Sequence, residues 1–477
     1  MSAVRHIPAA VLHGEQRRIH LIAICGVAMS ALAGMLKQRG YQVSGSDENV
    51  YPPMSTVLER LGIPIQPGFR PENLADRPDL VVVGNKVSKN NPEVEALLAS
   101  GIPYVSLPQA LAELFIADRT SVVVAGTHGK TTSTALLAWV LEHAGADPSL
   151  MVGGEVLDFG GNCKLGGGPH FVIEGDEYDT AFFDKGPKFL HYRPQAVLLT
   201  AVEFDHADIY RDLEQVKESF RRLVELLPAH GKLVVASDFP HAVDVASSRP
   251  AVTFGLGPEA QWRAVDLRDD GETVFGIERQ GSLLCTARIR QPGGINARNA
   301  LGVFVMATEL GLTPQQILPG LASFRGIARR QEVAGERRGV TIVDDFAHHP
   351  TAVAGTIAAM RLRYPGRRLW AVFEPRSNTS RRKVFQREYV QALRAADRVI
   401  IGGVFRKPTD ALEEADLFSP EQLARDLNDL GVRARAYPEV DVIAAALERN
   451  TRRGDVVLLM SNGSFGGLRD KLLTALS

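Results

Sequence analysis

The stretch Ser121-Val122-Val123-Val124-Ala125-Gly126-Thr127-His128-Gly129-Lys130-Thr131-Thr132 runs from an apolar, β-branched segment into a glycine loop, and Ser133 to Leu141 continues it as a helical segment. Strand, glycine loop and helix in that order make a nucleotide phosphate site. The glycines let backbone N–H groups approach the phosphates, and the helix N-terminus adds partial positive charge. Lys130 is placed to reach the β- and γ-phosphates and the Thr131 hydroxyl to hold Mg²⁺. ATP is therefore expected at Gly126, Thr127, His128, Gly129, Lys130, Thr131 and Thr132, against the plainer alternative of a tight turn that happens to contain Gly-Lys-Thr. Aligned on the common NTPase pattern, Val124 falls where the first glycine belongs, so the loop points to a different ATP-using family.

On the N-terminal side, Arg18 to Cys25 reads as a buried strand, Gly26-Val27-Ala28 as a loop and Met29 to Lys37 as a helix. A second strand, Tyr41 to Ser44, ends in Gly45-Ser46-Asp47, an acidic residue about 20 positions past the loop, as in a Rossmann βαβ unit. Only Gly26 remains of the dinucleotide fingerprint, so a Rossmann-like domain holding another nucleotide or diphosphate is expected rather than a nicotinamide oxidoreductase. Leu80 to Val83, the turn Gly84-Asn85 and a helix from Glu93 to Leu98 extend a mostly parallel sheet. On the C-terminal side, strands at Val340–Asp345, Leu369–Phe373, Arg398–Ile401 and Asp455–Met460 alternate with helices at Ala352–Leu362 and Tyr389–Ala396. Ligands gather at the carboxyl ends of such strands, which singles out Asp345, Glu374 and Ser461-Asn462-Gly463. The expected architecture is α/β in three domains: Rossmann-like over 1–118, a P-loop-type ATPase domain over 119–330, and a second Rossmann-like domain over 331–477.

The net charge of -1 offers no basic surplus for nucleic acid or an anionic membrane, and 45% hydrophobic residues suffice for several cores. Three scattered cysteines, Cys25, Cys163 and Cys285, form neither a metal motif nor a disulfide framework and suit a reducing cytoplasm. Met1 to Arg18 lacks an apolar signal core, and no stretch approaches the roughly 18 apolar residues of a membrane span, so a soluble, unexported protein is expected.

Two acidic segments follow apolar strands. Phe171-Val172-Ile173 leads into Glu174-Gly175-Asp176-Glu177-Tyr178-Asp179, where clustered like charges would be relieved by a divalent cation. Val197 to Thr200 leads into Glu203-Phe204-Asp205-His206-Ala207-Asp208, where the histidine could orient a partner, ligate a metal or lie on the surface. Lys130, Glu174 and His206 at successive strand ends make phosphoryl transfer with two metal positions credible.

These motifs, with Asn296-Ala297-Arg298-Asn299, Arg329-Arg330 and Asp344-Asp345-Phe346-Ala347-His348-His349-Pro350, resemble the Mur ligases in order and over nearly the whole chain. The resemblance implies a three-domain enzyme that uses ATP and Mg²⁺ to activate the carboxylate of UDP-N-acetylmuramate as an acyl phosphate and couple it to an amine. Tyr51-Pro52-Pro53-Met54-Ser55, Phe182-Phe183-Asp184-Lys185, Glu374 to Thr379 and Ser461 to Gly467 are similar to the members that attach the recycled tripeptide L-alanyl-γ-D-glutamyl-meso-diaminopimelate. Members that add L-alanine tend to have Ala in place of Gly175 and Pro-His-Arg where Pro375-Arg376-Ser377 stands, and rank second. By the same resemblance Lys130, Glu174, His206, Arg330, Asp345 and His348 act in catalysis, with His349 an alternative to His348. Asn296, Asn299, Arg330 and Asp345 contact nucleotide, Thr131, Glu174 and His206 serve metal, and Gly26, Asp47, Asn85 and His128 serve the UDP-sugar. Arg376, Ser377 and Asn378 are expected to meet the peptide, a bidentate Arg376–carboxylate pair being weighed against a plain ion pair with Glu374, and Asn296 could also cap a helix.

Overall fold

The structure is a computed structural model that describes residues 7, 11, 17–51, 54–406, 413 and 416–477. Pro52 and Pro53 of the Tyr51–Ser55 motif, and most of the segment before Arg17, lie outside the described residues. The chain forms two compact units: Met1–Val202, Glu214–Val252 and Met306–Gly320 in the first, Glu203–Leu213, Thr253–Val305 and Leu321–Ser477 in the second.

In the first unit, β1 (Arg18–Ile22), β2 (Gln42–Asp47), β3 (Ile65–Pro67), β4 (Leu80–Val83) and β5 (Tyr104–Ser106) form a parallel sheet in the order β3-β2-β1-β4-β5. The first strand stops three residues short of the expected Cys25, because Ala23 turns left-handed at φ 68° and its N–H goes to Ser46 O. The following helix, Val27–Gln38, correspondingly starts two residues early. The same unit carries β6 (Thr120–Ala125), β7 (Ser149–Val156), β8 (Gly161–Lys164), β9 (His170–Gly175), the hairpin β10 (Asp179–Ala181) and β11 (Asp184–Pro187), β12 (Ala196–Leu199) and β13 (Lys232–Ala236). Here β6 is central, parallel to β12 on one side and β9 on the other, with Ala125 level with Leu199 and Gly175. That register brings three strand ends together.

In the second unit, β14 (Val252–Gly255), β15 (Trp262–Asp269), β16 (Thr273–Arg279) and β17 (Ser282–Ile289) include an antiparallel meander that is not among the expected strands. A local signal for it exists, since Gln280 and Gly281 at φ 48° and 82° form the two-residue turn favoured between twisted strands. The unit also holds a six-stranded sheet, β18 (Glu332–Arg337), β19 (Val340–Asp345), β20 (Leu369–Phe373), β21 (Arg398–Gly402), β22 (Arg433–Tyr437) and β23 (Val456–Met460), in the order β18-β19-β23-β20-β21-β22 with only β18 antiparallel. Leu369, Ala371 and Phe373 enter one core and Trp370 and Val372 the other, the period-two division of a sheet covered on both faces.

Asp269 at the end of β15 ties this meander to the helix Pro350–Arg363. Its side chain is 1% exposed and accepts from Arg363 Nε at 2.8 Å and Nη2 at 3.1 Å, with Thr273 Oγ1 donating at 2.9 Å. Burial raises the Asp269 carboxyl, but the bonds from Arg363 and Thr273 and the guanidinium charge outweigh it and hold the group below the ordinary value. A depressed folded value stabilises above the unfolded value of about 4 and loses that contribution as pH falls through the folded one. Arg363→Ala is accordingly expected to cost about 3 kcal/mol at pH 7, with the gap from wild type narrowing below about pH 4. Thermal unfolding at both pH values measures it, and equal gaps would remove the ion pair from the account.

Candidate active site

The phosphate loop is shaped by contacts that only glycine permits. Gly126 sits at φ 132°, and a Cβ there would lie 2.5 Å from Thr200 Oγ1 and 2.6 Å from Ala201 O. Thr127 N–H donates to Ala201 O, and the Thr200 hydroxyl donates to Ala125 O and His128 O, fastening the loop to the end of β12. Gly129, left-handed at φ 79°, caps the helix Lys130–His143, which begins three residues before the expected Ser133. No side chain caps this helix, so its first N–H groups suit an anion.

Lys130 and Thr131 each meet an acid. Lys130 Nζ lies 2.9 Å from Glu177 Oε2 and 3.2 Å from Oε1, with the Glu177 side chain 2% exposed. Burial depresses Lys130, but Glu177, Asp176 and Glu174 outweigh it and raise the group above the ordinary lysine value. Thr131 Oγ1 donates to Glu174 Oε1 at 2.8 Å, and Gly153 N–H donates to Oε2 at 2.6 Å. Burial and then the Asp176 charge raise the Glu174 carboxyl, against the opposing pull of Lys130 and these two bonds. Part of the negative charge of this acidic segment is balanced within the chain. Lys188 pairs with Asp176 at 3.1 Å and Lys185 with Asp179 at 2.9 Å, so lysines compensate three of the four carboxylates. Glu177 and Lys188, which are not among the expected site residues, supply part of this pairing.

In the second unit the histidines gather around Asp205, which is likewise absent from the expected site. Asp205 is buried, accepts from Thr379 Oγ1 at 2.6 Å and lies 3.8 Å from His348 Nε2. Burial raises its carboxyl, yet the neighbouring imidazole of His348, and with it those of His206 and His349, holds it well below the usual range. His206 takes a left-handed φ of 53° with its N–H on Asp205 Oδ1. His349 caps the helix that opens at Pro350: its Nδ1 accepts the Thr351 N–H and its Nε2 donates to Phe204 O at 3.2 Å. His348 instead gives Nδ1–H to Phe346 O at 3.0 Å, leaving Nε2 as the atom able to take a proton.

The carboxyl ends of β19, β20 and β23 converge as expected: Ser461 N–H donates to Asp345 O, Glu374 N–H to Met460 O, and the Ser461 hydroxyl to Glu374. Asp345 accepts the N–H groups of Gln331 at 2.8 Å and Ala347 at 2.7 Å. Burial raises its carboxyl while Arg330 and those N–H groups pull it down. Arg330 lies over the Phe346 ring at 4.7 Å, and its neighbour Arg329 bonds Asp344 at 3.2 Å and Ser461 O at 2.8 Å. The helix Gly294–Glu309 begins before Asn296, so Asn296 is not its cap. It donates to Pro292 O and Gln331 Oε1, both at 2.8 Å, while Asn299 is buried one turn further on. Arg376 adopts the ion pair weighed as the alternative, 3.4 Å from Glu374, and stacks on Phe405. Ser377 bonds Ser380, and Asn378 donates to Asp208 at 2.6 Å.

In the first unit Gly26 precedes the uncapped helix Val27–Gln38, and Asn85 is exposed after β4. Asp47 spends its carboxylate on the N–H groups of Cys25 and Asn49, both at 2.9 Å, holding the loops around that helix start. Among the described residues no helix is long and apolar enough to cross a membrane.

Three family domains match in sequence: Mur ligase family, catalytic domain, over residues 18–119; Mur ligase middle domain over 124–307; and Mur ligase, glutamate ligase domain, over 329–463. The UDP-N-acetylmuramate--L-alanyl-gamma-D-glutamyl-meso-2,6-diaminoheptandioate ligase of Escherichia coli is 38% identical over 462 residues, 96% of this chain and 98% of that protein. The crystal structure of a murein peptide ligase from Psychrobacter arcticus is 34% identical at a TM-score of 0.71, covering 96% and 98% of the two chains. A UDP-N-acetylmuramate--L-alanine ligase of Burkholderia ambifaria is 36% identical over 467 residues, 96% of this chain and 97% of that one. With a glycine loop at the end of β6, an acid beside its threonine and family matches along the sequence, this chain belongs to the Mur ligase family.

Proposed function

We infer that the protein is an ATP-dependent, ADP-forming ligase that joins L-alanyl-γ-D-glutamyl-meso-diaminopimelate to UDP-N-acetylmuramate in peptidoglycan recycling. The observation that carries this reading is the likeness, over 96% of the chain, to a ligase named for that reaction. The phosphate loop and its acids supply the chemistry. Domain boundaries near residues 118 and 330 and a cytoplasmic setting are part of the proposal, the latter supported by three free cysteines.

A free carboxylate is a poor acyl donor, so the lactyl carboxylate first takes the γ-phosphoryl group and the tripeptide amine then displaces phosphate. Lys130 and Arg330 neutralise charge that moves between the phosphates during transfer. Thr131 and Glu174 present adjacent hard oxygen atoms, the donor set Mg²⁺ prefers, and His206 serves a second position. Bound there, Mg²⁺ would draw charge from the phosphoryl oxygens. The first turns of the helices after Gly129 and Gly26 receive phosphates, with Asp47, Asn85 and His128 disposed toward the UDP-sugar. Asn296, Asn299 and Asp345 serve nucleotide, and His348 takes the amine proton at Nε2. Arg376, Ser377 and Asn378 belong to the loop that faces the peptide.

The runner-up, addition of L-alanine, is favoured by the 36% identical relative and separates cleanly by experiment. With ATP and UDP-N-acetylmuramate, ADP release is expected with the tripeptide at a kcat/KM at least about 10²-fold above L-alanine, because groups that bind the longer acceptor are left unpaired by the short one. Equal or better use of L-alanine would transfer the assignment to the L-alanine-adding enzymes.

A further inference from the structure

The segment that carries His206 is fastened from far along the chain. Within the second unit, Thr379 Oγ1 donates to Asp205 Oδ1 at 2.6 Å and accepts the Ala207 N–H at 3.1 Å. Asn378 Nδ2 donates to Asp208 Oδ2 at 2.6 Å, Thr351 Oγ1 to Glu203 Oε1 at 3.0 Å, and His349 Nε2 to Phe204 O at 3.2 Å. Residues on both sides of His206 are thus held by side chains more than 140 positions away in sequence. Between them His206 keeps φ at 53°, a conformation that is unfavourable for a non-glycine residue and persists where surrounding contacts over-determine it.

Thr379 is the centre of this grip. It is 2% exposed, and one hydroxyl spends its proton on Asp205 and its lone pair on Ala207, the residues immediately before and after His206. A hydroxyl in that place holds the carboxylate of the residue before the histidine and the backbone N–H of the residue after it at once. Valine would fill the same space and make neither bond.

We propose that Thr379 is a positioning residue that aims His206 by bridging the Asp205 carboxylate and the Ala207 N–H, with Asn378 as a second tie on Asp208. The proposal rests on the reading of His206 as a group of the phosphoryl-transfer site and names the device that sets its direction. It gives Thr379, and Asn378 beside its place in the peptide-facing loop, the task of holding the His206 segment.

The test compares Thr379→Val and Thr379→Ser in the full-length protein by two measurements: amide hydrogen exchange over residues 203–213, and ADP release with UDP-N-acetylmuramate and tripeptide. Valine is expected to speed exchange of the amides around His206 at least about tenfold. It should lower kcat about tenfold to a hundredfold while the KM for ATP changes less than about threefold, since a small displacement of a reacting group suffices for such a loss. Serine should restore both readouts. Unchanged exchange in Thr379→Val, or failure of serine to restore, would overturn the clasp. Faster exchange with unchanged kcat would overturn the positioning role, and His206→Ala with wild-type kcat would place the failure in the reading of His206 instead. If Thr379→Val does not fold, Asn378→Ala is read by the same exchange measurement, and wild-type protection there would overturn the second tie.

Discussion

Lys130→Ala is expected to lower kcat by about 10³-fold, because it removes a cation aimed at charge that builds up during phosphoryl transfer. The substitution also has a structural cost that must be separated from the chemical one. Glu177 is 2% exposed and takes both carboxylate oxygens to Lys130, so alanine strips this ion pair from a buried charge. Breaking such a pair costs about 3 to 5 kcal/mol, enough to lower the melting temperature and mimic inactivation by unfolding. The double variant Lys130→Ala, Glu177→Gln removes that buried charge as well. Its melting temperature should return most of the way to wild type while kcat stays at the level of the single variant. Recovery of turnover in the double variant would make Lys130 a structural partner of Glu177 and would cost it the catalytic assignment.

That double role is not visible in the sequence, and the reason is physical. The loop from Gly126 to Thr132 is contiguous, and its strand, turn and helix announce themselves through local chemistry. The strands Leu80–Val83 and Leu369–Phe373 are found at their expected limits because strands buried on both faces read as unbroken apolar runs, and Val340–Asp345 is found at its limits as an apolar-rich run that ends in two acids. By contrast β22, with Arg433 and Arg435 alternating with alanines, lies at the sheet edge, where exposed arginines erase the apolar signal. The same distinction governs the site. Glu174 and His206 stand in acidic motifs after apolar strands and are legible there, whereas Asp205 acquires its importance from Thr379 and His348, more than 140 residues away. His348 and His349 are indistinguishable as neighbours in sequence. They separate only when the helix start at Pro350 commits both ring nitrogens of His349 to backbone groups. Lys188, twelve residues beyond Asp176, shows the same effect: the cluster looks overcharged in sequence because its counter-ions lie outside the motif.

If lysines compensate most of that acidic segment, the claim of Glu174 to Mg²⁺ has to rest on its own contacts, and Glu174→Gln isolates them. A glutamine can keep its carbonyl oxygen on the Gly153 N–H and turn its amide toward the Thr131 hydroxyl, which is able to accept. Shape and both hydrogen bonds are then retained, so the melting temperature should stay within about 2 °C of wild type, the behaviour of a substitution that leaves packing and satisfied polar groups intact. What changes is the ligand, because a neutral amide oxygen binds a hard divalent cation far more weakly than a carboxylate does. The Mg²⁺ concentration needed for half-maximal ADP release should therefore rise at least about tenfold, with kcat at saturating Mg²⁺ lower by about 10²-fold as charge stabilisation at the γ-phosphate weakens. An unchanged Mg²⁺ requirement alongside wild-type turnover would make Glu174 a brace for the loop, joining β9 to Thr131 and Gly153. A large fall in melting temperature with an unchanged Mg²⁺ requirement would also make it a brace, since the hydrogen bonds and not the charge would then be what the site needs from it.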